Sequence, residues 1–272
     1  MPIDANDFAY VRSLVLGQAG VVIEADRDYL AEARLVPLAH EESFATLGEL
    51  VARLRMTPVS ALHRRVVDAM MINETSFFRD PATFDSFKKE ILPDVLSNAS
   101  AVLRIWCAAC ASGQEPYSVA MLLREHFGGV GADVKILASD ISAPMVLRAE
   151  RAIYSTLEVN RGLPAPMLVR NFEQRGAEWA LKEDVRRMVE VRRINLMDES
   201  SWSGVPVDVL FLRNVLIYFA PEMKKRMLAR AHSMLRPNGY LLLGGSETTI
   251  GLDARFEAVH LERCTWYRRK DA

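Results

Sequence analysis

Four short segments of the chain combine polar side chains with the small or apolar residues that a ligand site requires. In the first, from Trp106 to Ser118 (WCAACASGQEPYS), small residues from Ala108 to Gly113 would let the backbone approach a ligand closely. The segment has a single glycine, no G-x-G-x-x-G pattern and no Walker lysine, which argues against a triphosphate site. By itself it fits either a nucleotide site at the end of a strand or tight packing of a strand against a helix.

The second segment ends at Asp140, an acidic residue that closes the next predicted strand. An acidic side chain at such a position can accept hydrogen bonds from the hydroxyl groups of a ribose. The alternative is that Asp140 caps the helix that begins near Ser142.

The third segment is NETSFFRD, which lies between two predicted helices and surrounds two aromatic residues with polar ones. A capping turn at Asp80 with a buried pair of phenylalanines would explain part of this pattern. It would leave Asn73, Thr75 and Arg79 together without an explanation, so we interpret these three residues as candidates for a ligand site.

The fourth segment, DVLFLRNVLIYF, is an apolar strand that runs into Arg213 and Asn214, with Tyr218 close behind. The carboxyl ends of parallel strands line one edge of a sheet, which is where ligands bind in open α/β folds. We therefore expect these polar residues to enter the same crevice as the first segment, and this interpretation is stronger than that of a simple polar strand end.

Cys107 and Cys110 form a C-x-x-C pattern for which the sequence offers no metal or redox context. A zinc site needs a second pair of ligands, and Cys264 stands alone. We expect Cys107 in the core of a strand, Cys110 as a small loop residue, and no metal site. The five histidines lie outside all four segments, so no His-Asp pair is available to act as a general base there.

The elements that must position these residues change in character along the chain. Roughly the first 90 residues show helical apolar spacing, and Thr57-Pro58 and Asp80-Pro81 are predicted helix starts. Beyond residue 100, short apolar runs alternate with helices, which is typical of a parallel sheet covered on both faces. The predicted strands are Ala101 to Cys107, Val134 to Ser139, one within Met188 to Leu196, Val207 to Leu212, and Tyr240 to Leu243.

Two further features of the chain are predicted to be antiparallel. The stretch from Ile153 to Met188 is too long for a plain crossover and predicts an insertion, with Phe172 to Val191 as a small antiparallel flap. The last two runs, Phe256 to Val259 and Thr265 to Arg269, predict a terminal hairpin.

Composition narrows the classes of function. The 272-residue chain has 34 Lys and Arg against 35 Asp and Glu, a net charge of -1, which argues against binding nucleic acid or anionic membranes through overall charge. Three cysteines are too few for a disulfide framework and indicate a reducing compartment. The first residues show no secretory signal, and no apolar run approaches the ~20 residues of a membrane span. We therefore expect a cytoplasmic protein that does not insert into membranes.

In combination the four segments resemble one family. The chain has, in the order found in the CheR family, the motifs NETSFFRD, AACASGQEPYS, SD at Asp140, INL at Asn195, and FLRNVLIYF. Members of that family are S-adenosylmethionine-dependent methyltransferases that esterify glutamates of bacterial chemotaxis receptors. The resemblance covers nearly the whole chain and departs from the family pattern at Gln114, where an acidic residue is common.

The resemblance implies an α/β fold with a defined domain organisation. It predicts a Rossmann-like S-adenosylmethionine methyltransferase domain over residues 100–272, with a small β-subdomain inserted at about residues 170–192. A small all-helical domain over residues 1–72 would precede it, and residues 73–99 would form a linker and bridging helix.

The resemblance also implies roles for individual residues. S-adenosylmethionine would be the cofactor, S-adenosylhomocysteine the product, and no metal would take part. Arg79 and Tyr218 correspond to the family's proposed substrate-positioning groups and are implied to be catalytic. The residues implied to contact the cofactor or shape its pocket are Asn73, Thr75, Arg79, Ala108, Gly113, Glu115, Asp140, Asn195, Leu196, Arg213 and Asn214.

The implied partner is the cytoplasmic helical domain of methyl-accepting chemotaxis receptors, with the enzyme acting as a monomer. In the family, the helical N-terminal domain commonly presents a basic face to the acidic receptor helices. The candidates for that face are Arg53, Arg55, Arg64 and Arg65, and the alternative is a solvated helix face. The loop associated with gripping a receptor tether is short here, from Gln174 to Trp179, with one glycine, so we expect recognition without a tether.

The chemistry implied by the family suits a site without a general base. A glutamate carboxylate has a pKa of about 4.3, so it is an ionised nucleophile at neutral pH. A methyltransferase acting on nucleic acid or a small molecule is the alternative, but amino-methylating nucleic-acid enzymes usually carry Asp/Asn-Pro-Pro-aromatic where this chain has RNVL. A catalytically silent binding module is a further alternative, which the intact polar residues of all four segments disfavour.

Overall fold

The computed structural model describes residues 3–98, 102–127, 133–202 and 204–271. In the first part of the chain, helices pack around one apolar core. Val11, Leu35, Leu50 and Val66, each from a different helix, are completely buried there. The helices are α1 (Ala5–Ala19), α2 (Asp28–Glu41), α3 (Leu47–Arg55) and α4 (Ala61–Met70).

The predicted helix start at Thr57-Pro58 is wrong, because α4 begins about one turn later, at Ala61. The Thr57 hydroxyl donates a hydrogen bond to the carbonyl of Arg53 (2.9 Å), so its side chain ends α3 instead of opening α4. The backbone N–H of Ser60 donates to Nδ1 of His63 (3.2 Å), and this contact marks the true start of the helix.

A helical segment connects this region to the sheet. It comprises α5 (Pro81–Ser86), a π-helical turn (Phe87–Ile91) and α6 (Leu92–Asn98), and its start at Pro81 agrees with the prediction. The ring of Phe87 stacks on Trp266 with centroids 6.0 Å apart and meets Phe211 edge-on at 5.7 Å. Because both partners lie in the sheet, the segment is anchored in the core of the second part of the chain.

The second part of the chain contains two sheets over the described residues. The strands are β1 (Val102–Ala108), β2 (Asp133–Asp140), β3 (Ile153–Ser155), β4 (Phe172–Arg175), β5 (Glu178–Leu181), β6 (Val189–Arg193), β7 (Val207–Leu212), β8 (Leu235–Leu243), β9 (Phe256–Leu261) and β10 (Cys264–Arg269). The larger sheet has the order β6-β2-β1-β7-β8-β10-β9. Its first five strands are parallel, and β9 and β10 form an antiparallel hairpin, as predicted. Ala101, the first residue of the predicted β1, lies outside the described residues.

Alternate residues of β1 bury into cores on the two faces of the larger sheet. Ile105 and Cys107 pack in a cluster with α7, whereas Trp106 and Ala108 pack in a second cluster with α12. This confirms the α/β fold with both faces covered. None of the described helices is long and apolar enough to cross a membrane. The helices of this part are α7 (Gln114–His126), α8 (Ala143–Arg151), α9 (Thr156–Asn160), α10 (Ala165–Asn171), α11 (Glu183–Arg186) and α12 (Pro221–Met234).

The smaller sheet is antiparallel, in the order β3-β5-β4. The predicted antiparallel flap from Phe172 to Val191 is correct for the β4–β5 hairpin, which begins at Phe172, and wrong for the residues of β6. The strand β6 belongs to the larger sheet, where it pairs in parallel with β2, and β3 joins the hairpin from an earlier part of the chain. Three residues are too few for β3 to show strand periodicity in the sequence.

Candidate active site

A cavity of about 670 Å³ opens at the carboxyl ends of the central parallel strands. Pockets that hold small molecules have volumes of roughly 300–1,000 Å³. The lining draws on all four segments that the sequence singled out, and it also includes residues between Ala19 and Arg34 that sequence reasoning missed. After α1 the sequence has the apolar run Val21-Val22-Ile23, which indicates that this stretch packs against the rest of the protein. No motif marks the run as part of a ligand site.

Asp140, at the end of β2, binds the loop that follows β1. Its Oδ2 accepts a hydrogen bond from the N–H of Ala111 (2.8 Å), and its Oδ1 accepts one from the N–H of Ser142 (2.9 Å). Ala109 and Ala111 have φ angles of 55° and 48°, so the loop turns tightly beside this carboxylate. Burial raises the pKa of Asp140, and the backbone hydrogen bonds offset this effect only in part. Asp140 therefore binds the start of α8 and also lines the cavity.

Ala108 and Gly113 are not among the described residues that line the cavity. Ala108 is the buried last residue of β1. Gly113 has a φ of 95°, and a Cβ there would lie 3.0 Å from Cβ of Ala149 and 3.1 Å from the ring of Tyr117. Gly113 therefore permits close packing of α7 against α8, whereas Ala108 packs in the core cluster that includes α12. At both positions the structure favours packing over direct contact with a ligand.

Arg213, directly after β7, joins two walls of the cavity. Its Nη1 donates to Oε2 of Glu115 (2.9 Å), and its Nη2 donates to Oδ2 of Asp80 (2.7 Å) and to the carbonyl of Arg79 (3.0 Å). Burial raises the pKa of Glu115, and the charge of Arg213 opposes that rise. The structure thus brings two of the predicted cofactor residues together as a buried ion pair.

The expected capping role of Asp80 is wrong. Among the described atoms its side chain makes no capping hydrogen bond to α5, and its backbone has a φ of 60°. Its carboxylate binds Arg213 because a charge-assisted hydrogen bond to a guanidinium is stronger than one to a backbone N–H. Helix α5 starts with Pro81, which has no N–H that needs a cap.

Asn73, Thr75 and Arg79 all line the cavity, as predicted from their shared segment. The Nη1 atom of Arg79 donates to the carbonyl of Glu74 (3.1 Å), but the described residues give Arg79 no carboxylate within 4.0 Å. The nearest carboxylates in sequence, those of Glu74 and Asp80, each pair with another arginine. The positive charge of Arg79 is therefore available to a ligand.

Asn195 and Leu196, which follow β6, also lie in the cavity wall. The Nδ2 atom of Asn195 donates to the carbonyl of Gln18 (2.8 Å), which ties the end of α1 to the edge of the sheet. The carbonyl of Leu196 accepts a hydrogen bond from Nε1 of Trp202 (2.9 Å). Both residues are thus held in place by contacts that leave the apolar Leu196 side chain as a surface of the cavity.

The segment from Asn214 to Tyr218 forms a further wall. Asn214 has a φ of 57°, and the residues after it form a 3₁₀ turn that ends at Tyr218. The carbonyl of Tyr218 accepts a hydrogen bond from the N–H of Val22 (2.8 Å), so the helical region contacts this wall directly. Glu247, which sequence reasoning missed, accepts hydrogen bonds from the N–H groups of Asn214 (2.8 Å) and Ile217 (3.1 Å). Its sequence signal is the GGSE motif after β8, which suggests no chemistry on its own.

Cys107 and Cys110 are buried free thiols. Burial raises the pKa of each well above its ordinary value, so both are neutral at physiological pH. No group of three His, Cys, Asp or Glu in the described ranges is arranged to hold a metal ion. Cys107 lies in β1 and Cys110 in the loop that lines the cavity, as expected from the sequence.

Two of the four arginines predicted to dock the receptor are engaged within the helical region. Arg55 pairs with Asp7 at 3.1 Å, and Arg65 pairs with two glutamates at the end of α2. Arg53 and Arg64 are exposed, and no carboxylate of the described structure lies within 4.0 Å of either. All four arginines are exposed, but Arg53 and Arg64 are the two whose charge is not paired with a carboxylate of the described structure.

Comparison with known proteins identifies the family. The family model described as CheR methyltransferase, SAM binding domain, matches residues 73–265. The chain belongs to the CheR family. It is 40% identical over 270 residues to chemotaxis protein methyltransferase 1 of Pseudomonas aeruginosa, an alignment that covers 97% of this chain and 98% of that one. It is 39% identical over 257 residues to the chemotaxis protein methyltransferase of Vibrio parahaemolyticus, which covers 93% of each chain.

A comparison with solved structures gives a match of low sequence identity. Magnesium protoporphyrin IX methyltransferase from Synechocystis, with S-adenosylmethionine bound, is 15% identical and has a TM-score of 0.41. The match covers 84% of this chain and 92% of that one.

This CheR protein is an S-adenosylmethionine-dependent methyltransferase, and its cavity fits that cofactor. The cavity has the volume of a small-molecule site and a loop of small residues at its base. The buried carboxylates of Glu115 and Asp140 suit a ligand with hydroxyl and ammonium groups, and Leu196 offers an apolar surface to an aromatic base. When bound, S-adenosylmethionine supplies an electrophilic methyl group on a sulfonium.

Proposed function

We propose that this CheR enzyme methylates glutamate side chains in the cytoplasmic helical domain of chemotaxis receptors, giving glutamate methyl esters. Its relatives are named chemotaxis protein methyltransferases, which supports a role in that pathway. The observation that carries the proposed chemistry is the cavity lining, which includes no histidine and no lysine among the described residues.

The two buried acids of the lining are already engaged by the protein. Asp140 accepts hydrogen bonds from two backbone N–H groups, and Glu115 is paired with Arg213. An alcohol or amine acceptor would require a group that removes its proton. A glutamate carboxylate, with a pKa of about 4.3, is ionised at neutral pH and requires none. Glu24 and Glu74, the other two acids of the lining, are exposed to solvent. Because both buried acids are engaged, the described lining favours a carboxylate acceptor.

In this proposal, different residues of the cavity bind different parts of the cofactor. Asp140 and Glu115 bind its hydroxyl and ammonium groups, with Asn73 and Thr75 shaping the pocket. Leu196 and the backbone of Asn195 flank the adenine. Arg213 keeps Glu115 in place, and Asn214 lies beside the methionine part. Gly113 contributes indirectly, by allowing α7 and α8 to pack closely, and Ala108 contributes by packing in the core at the end of β1.

Arg79 and Tyr218 orient the acceptor glutamate. They lie on different walls of the cavity, one in the segment before α5 and the other in the turn after β7. A guanidinium bound tightly to the glutamate would reduce the nucleophilicity of its oxygen. Sharing the carboxylate between Arg79 and the neutral hydroxyl of Tyr218 holds the oxygen in line with the methyl group without fully neutralising it.

The product ester is neutral, so each transfer removes one negative charge from a receptor helix. Like charges on neighbouring helical positions destabilise a helix, so their removal changes the packing of the receptor bundle. We propose that the enzyme meets this bundle as a monomer on the cytoplasmic side, with the exposed Arg53 and Arg64 attracting its acidic helices.

The test of the proposed function uses cofactor labelled on its methyl group. The enzyme is incubated with receptor-rich membranes or with RNA from the same organism. We expect label on protein that mild base releases as methanol, which is the behaviour of an ester. Base-stable label, or transfer to RNA, would instead support the alternative of a methyltransferase for nucleic acid or another acceptor.

A further inference from the structure

We propose that Glu247 is a positioning residue for methyl transfer, acting through Asn214 and Tyr218. This inference rests on the proposed function, because it concerns the geometry of the same transfer. Glu247 is not among the described residues that line the cavity, so its effect must pass through the segment that it holds.

The carboxylate of Glu247 binds three backbone N–H groups. Its Oε2 accepts hydrogen bonds from Asn214 (2.8 Å) and Gly244 (2.6 Å), and its Oε1 accepts one from Ile217 (3.1 Å). Two of these donors belong to the wall that carries Asn214 and Tyr218, and the third belongs to the end of β8. The carboxylate therefore ties the wall to the edge of the sheet.

Glu247 is itself held in a fixed position. Its backbone N–H donates to the carbonyl of Gly244 (2.9 Å), which closes a tight turn around the carboxylate. A Cβ at position 244 would lie 2.5 Å from Nδ2 of Asn214 and 2.8 Å from Oε2 of Glu247. The close approach that glycine permits brings the carboxylate, the turn and Asn214 into direct contact.

The wall needs such support because its backbone departs from regular structure. Asn214 has the left-handed φ of 57°, and Ile217 lies in the first turn of a short 3₁₀ helix, where N–H groups have no partner within the helix. On its other side, the wall is held by the hydrogen bond from Val22 to Tyr218 and by a bridge between Val21 and Phe219. Glu247 and the residues after α1 thus hold the same segment from two sides.

Only an acceptor with two oxygens can satisfy all three N–H groups. In Glu247→Gln, one oxygen becomes an NH₂ group, which is a donor and would face an N–H. In Glu247→Asp, both oxygens are kept but the chain is shorter by one methylene group. Glu222→Gln is the matched control, because Glu222, in α12, is 80% exposed and pairs with Lys225 on the surface.

The first experiment measures kcat and KM for methyl transfer to a purified receptor fragment. We expect Glu247→Gln to lower kcat about tenfold or more, with a smaller change in the KM for the receptor. Glu247→Asp should retain more activity than Glu247→Gln, and Glu222→Gln should match the wild type. A kcat for Glu247→Gln within twofold of the wild type would overturn the inference.

A double-mutant cycle separates positioning from a general loss of structure. If Glu247 acts by placing Tyr218, then Tyr218→Phe should cost much less activity in the Glu247→Gln background than in the wild type. Thermal unfolding of each variant checks that the chain is folded at the assay temperature. Additive losses in kcat would overturn the role through Tyr218.

A third measurement does not depend on the acceptor. Calorimetry of S-adenosylhomocysteine binding should show that Glu247→Gln and Asn214→Ala weaken affinity in a non-additive way, because both act on the same turn. If the wild type transferred no methyl groups to receptors, the proposed acceptor would be wrong, and this coupling would still test Glu247. Independent effects of the two substitutions would then contradict the inference.

Discussion

The guanidinium of Arg213 donates a 2.9 Å hydrogen bond to the carboxylate of Glu115, a residue 98 positions earlier in the chain. Glu115 lies in the first turn of α7, and Arg213 follows β7, so the pair connects the ends of two adjacent strands of the sheet. The two side chains are 12% and 3% exposed, respectively. Because Arg213 also binds Asp80, the same guanidinium fixes the segment that carries Arg79.

This buried pair makes a prediction about stability. Arg213→Met should destabilise the protein by about 3–5 kcal/mol, because it leaves the charge of Glu115 buried without its partner. Adding Glu115→Gln to the same chain should recover part of the loss, since the unpaired charge is then gone. The free energy of unfolding is measured by urea-induced unfolding, with circular dichroism as the signal. Equal stability of the Arg213→Met variant and the wild type would show that the pair does not hold the site together.

Asp140 gives a second prediction, about the cofactor. In Asp140→Asn, one oxygen that accepts a backbone hydrogen bond becomes a donor facing Ala111 or Ser142. The loop around residues 109–111 should then open, and the affinity for S-adenosylhomocysteine should fall about tenfold or more. Isothermal titration calorimetry measures this affinity. Unchanged binding would place the cofactor away from Asp140.

The same variant should alter the pH dependence of stability. Because burial raises the pKa of Asp140 above 3.8, its contribution to stability is complete below that pH and is lost as the pH rises through the folded-state pKa. The asparagine variant lacks this group. The wild type should therefore lose stability relative to Asp140→Asn as the pH rises above 3.8 and through the folded-state pKa of Asp140. If the free energies of unfolding of the wild type and the variant changed in parallel with pH, Asp140 would have the same pKa in the folded and the unfolded chain.

Arg79 gives a third prediction, about the transfer itself. Because the described residues offer no carboxylate partner to Arg79, its removal should leave the fold intact while abolishing its hold on the acceptor. We expect kcat/KM for Arg79→Ala to fall about a hundredfold or more, with Arg79→Lys intermediate. Arg187→Ala is the control, since Arg187 is 78% exposed and pairs with Glu183, and neither is among the described residues that line the cavity. Near-normal transfer by Arg79→Ala would make Arg79 a structural residue.

The fourth prediction concerns the docking arginines. Replacing Arg53 and Arg64 with Glu should raise the KM for the receptor and leave cofactor affinity unchanged, because both are exposed and act by charge. Replacing Arg55 and Arg65 with Glu should also lower the unfolding temperature, since their ion pairs would become repulsive. Steady-state kinetics at two salt concentrations and thermal unfolding separate the two effects. Identical kinetics for the first variant and the wild type would place the docking surface elsewhere.

The fourth prediction has a companion experiment on the receptor tail. The β4–β5 hairpin turns at Gly176 and Ala177, so its loop is as short as the sequence indicates. We expect transfer to a receptor fragment to be nearly the same with and without its C-terminal tail. A large loss of transfer on removing the tail would show that this hairpin binds it.

The sequence predicted the parallel sheet well because both of its faces are buried. Strand β7 is apolar except for Asp208, and its bounds, Val207 to Leu212, match the prediction. Prediction failed where one residue had competing partners. Asp80 precedes a proline and looks like a helix cap, yet its carboxylate binds Arg213, which lies 133 positions away. No local pattern reports a contact at that separation.

The same limit applies to the site. The residues at strand ends, such as Asp140 and Arg213, could be predicted because the topology of a parallel sheet brings strand ends together. The cavity wall that Val21 and Val22 form could not be predicted from the sequence, because it depends on how the helical region packs against the sheet. Glu247 escaped prediction for a related reason, since its three partners are backbone N–H groups that no sequence motif records.

The proposed acceptor of the methyl group is a glutamate carboxylate. The most direct test is peptide mass spectrometry of a purified receptor cytoplasmic fragment after incubation with the enzyme and S-adenosylmethionine. We expect a mass increase of one methylene unit, located on glutamate side chains, that mild base reverses and that the Arg79→Ala variant does not produce. A modification on lysine, arginine or another non-carboxylate group, or an increase that survives base, would contradict it.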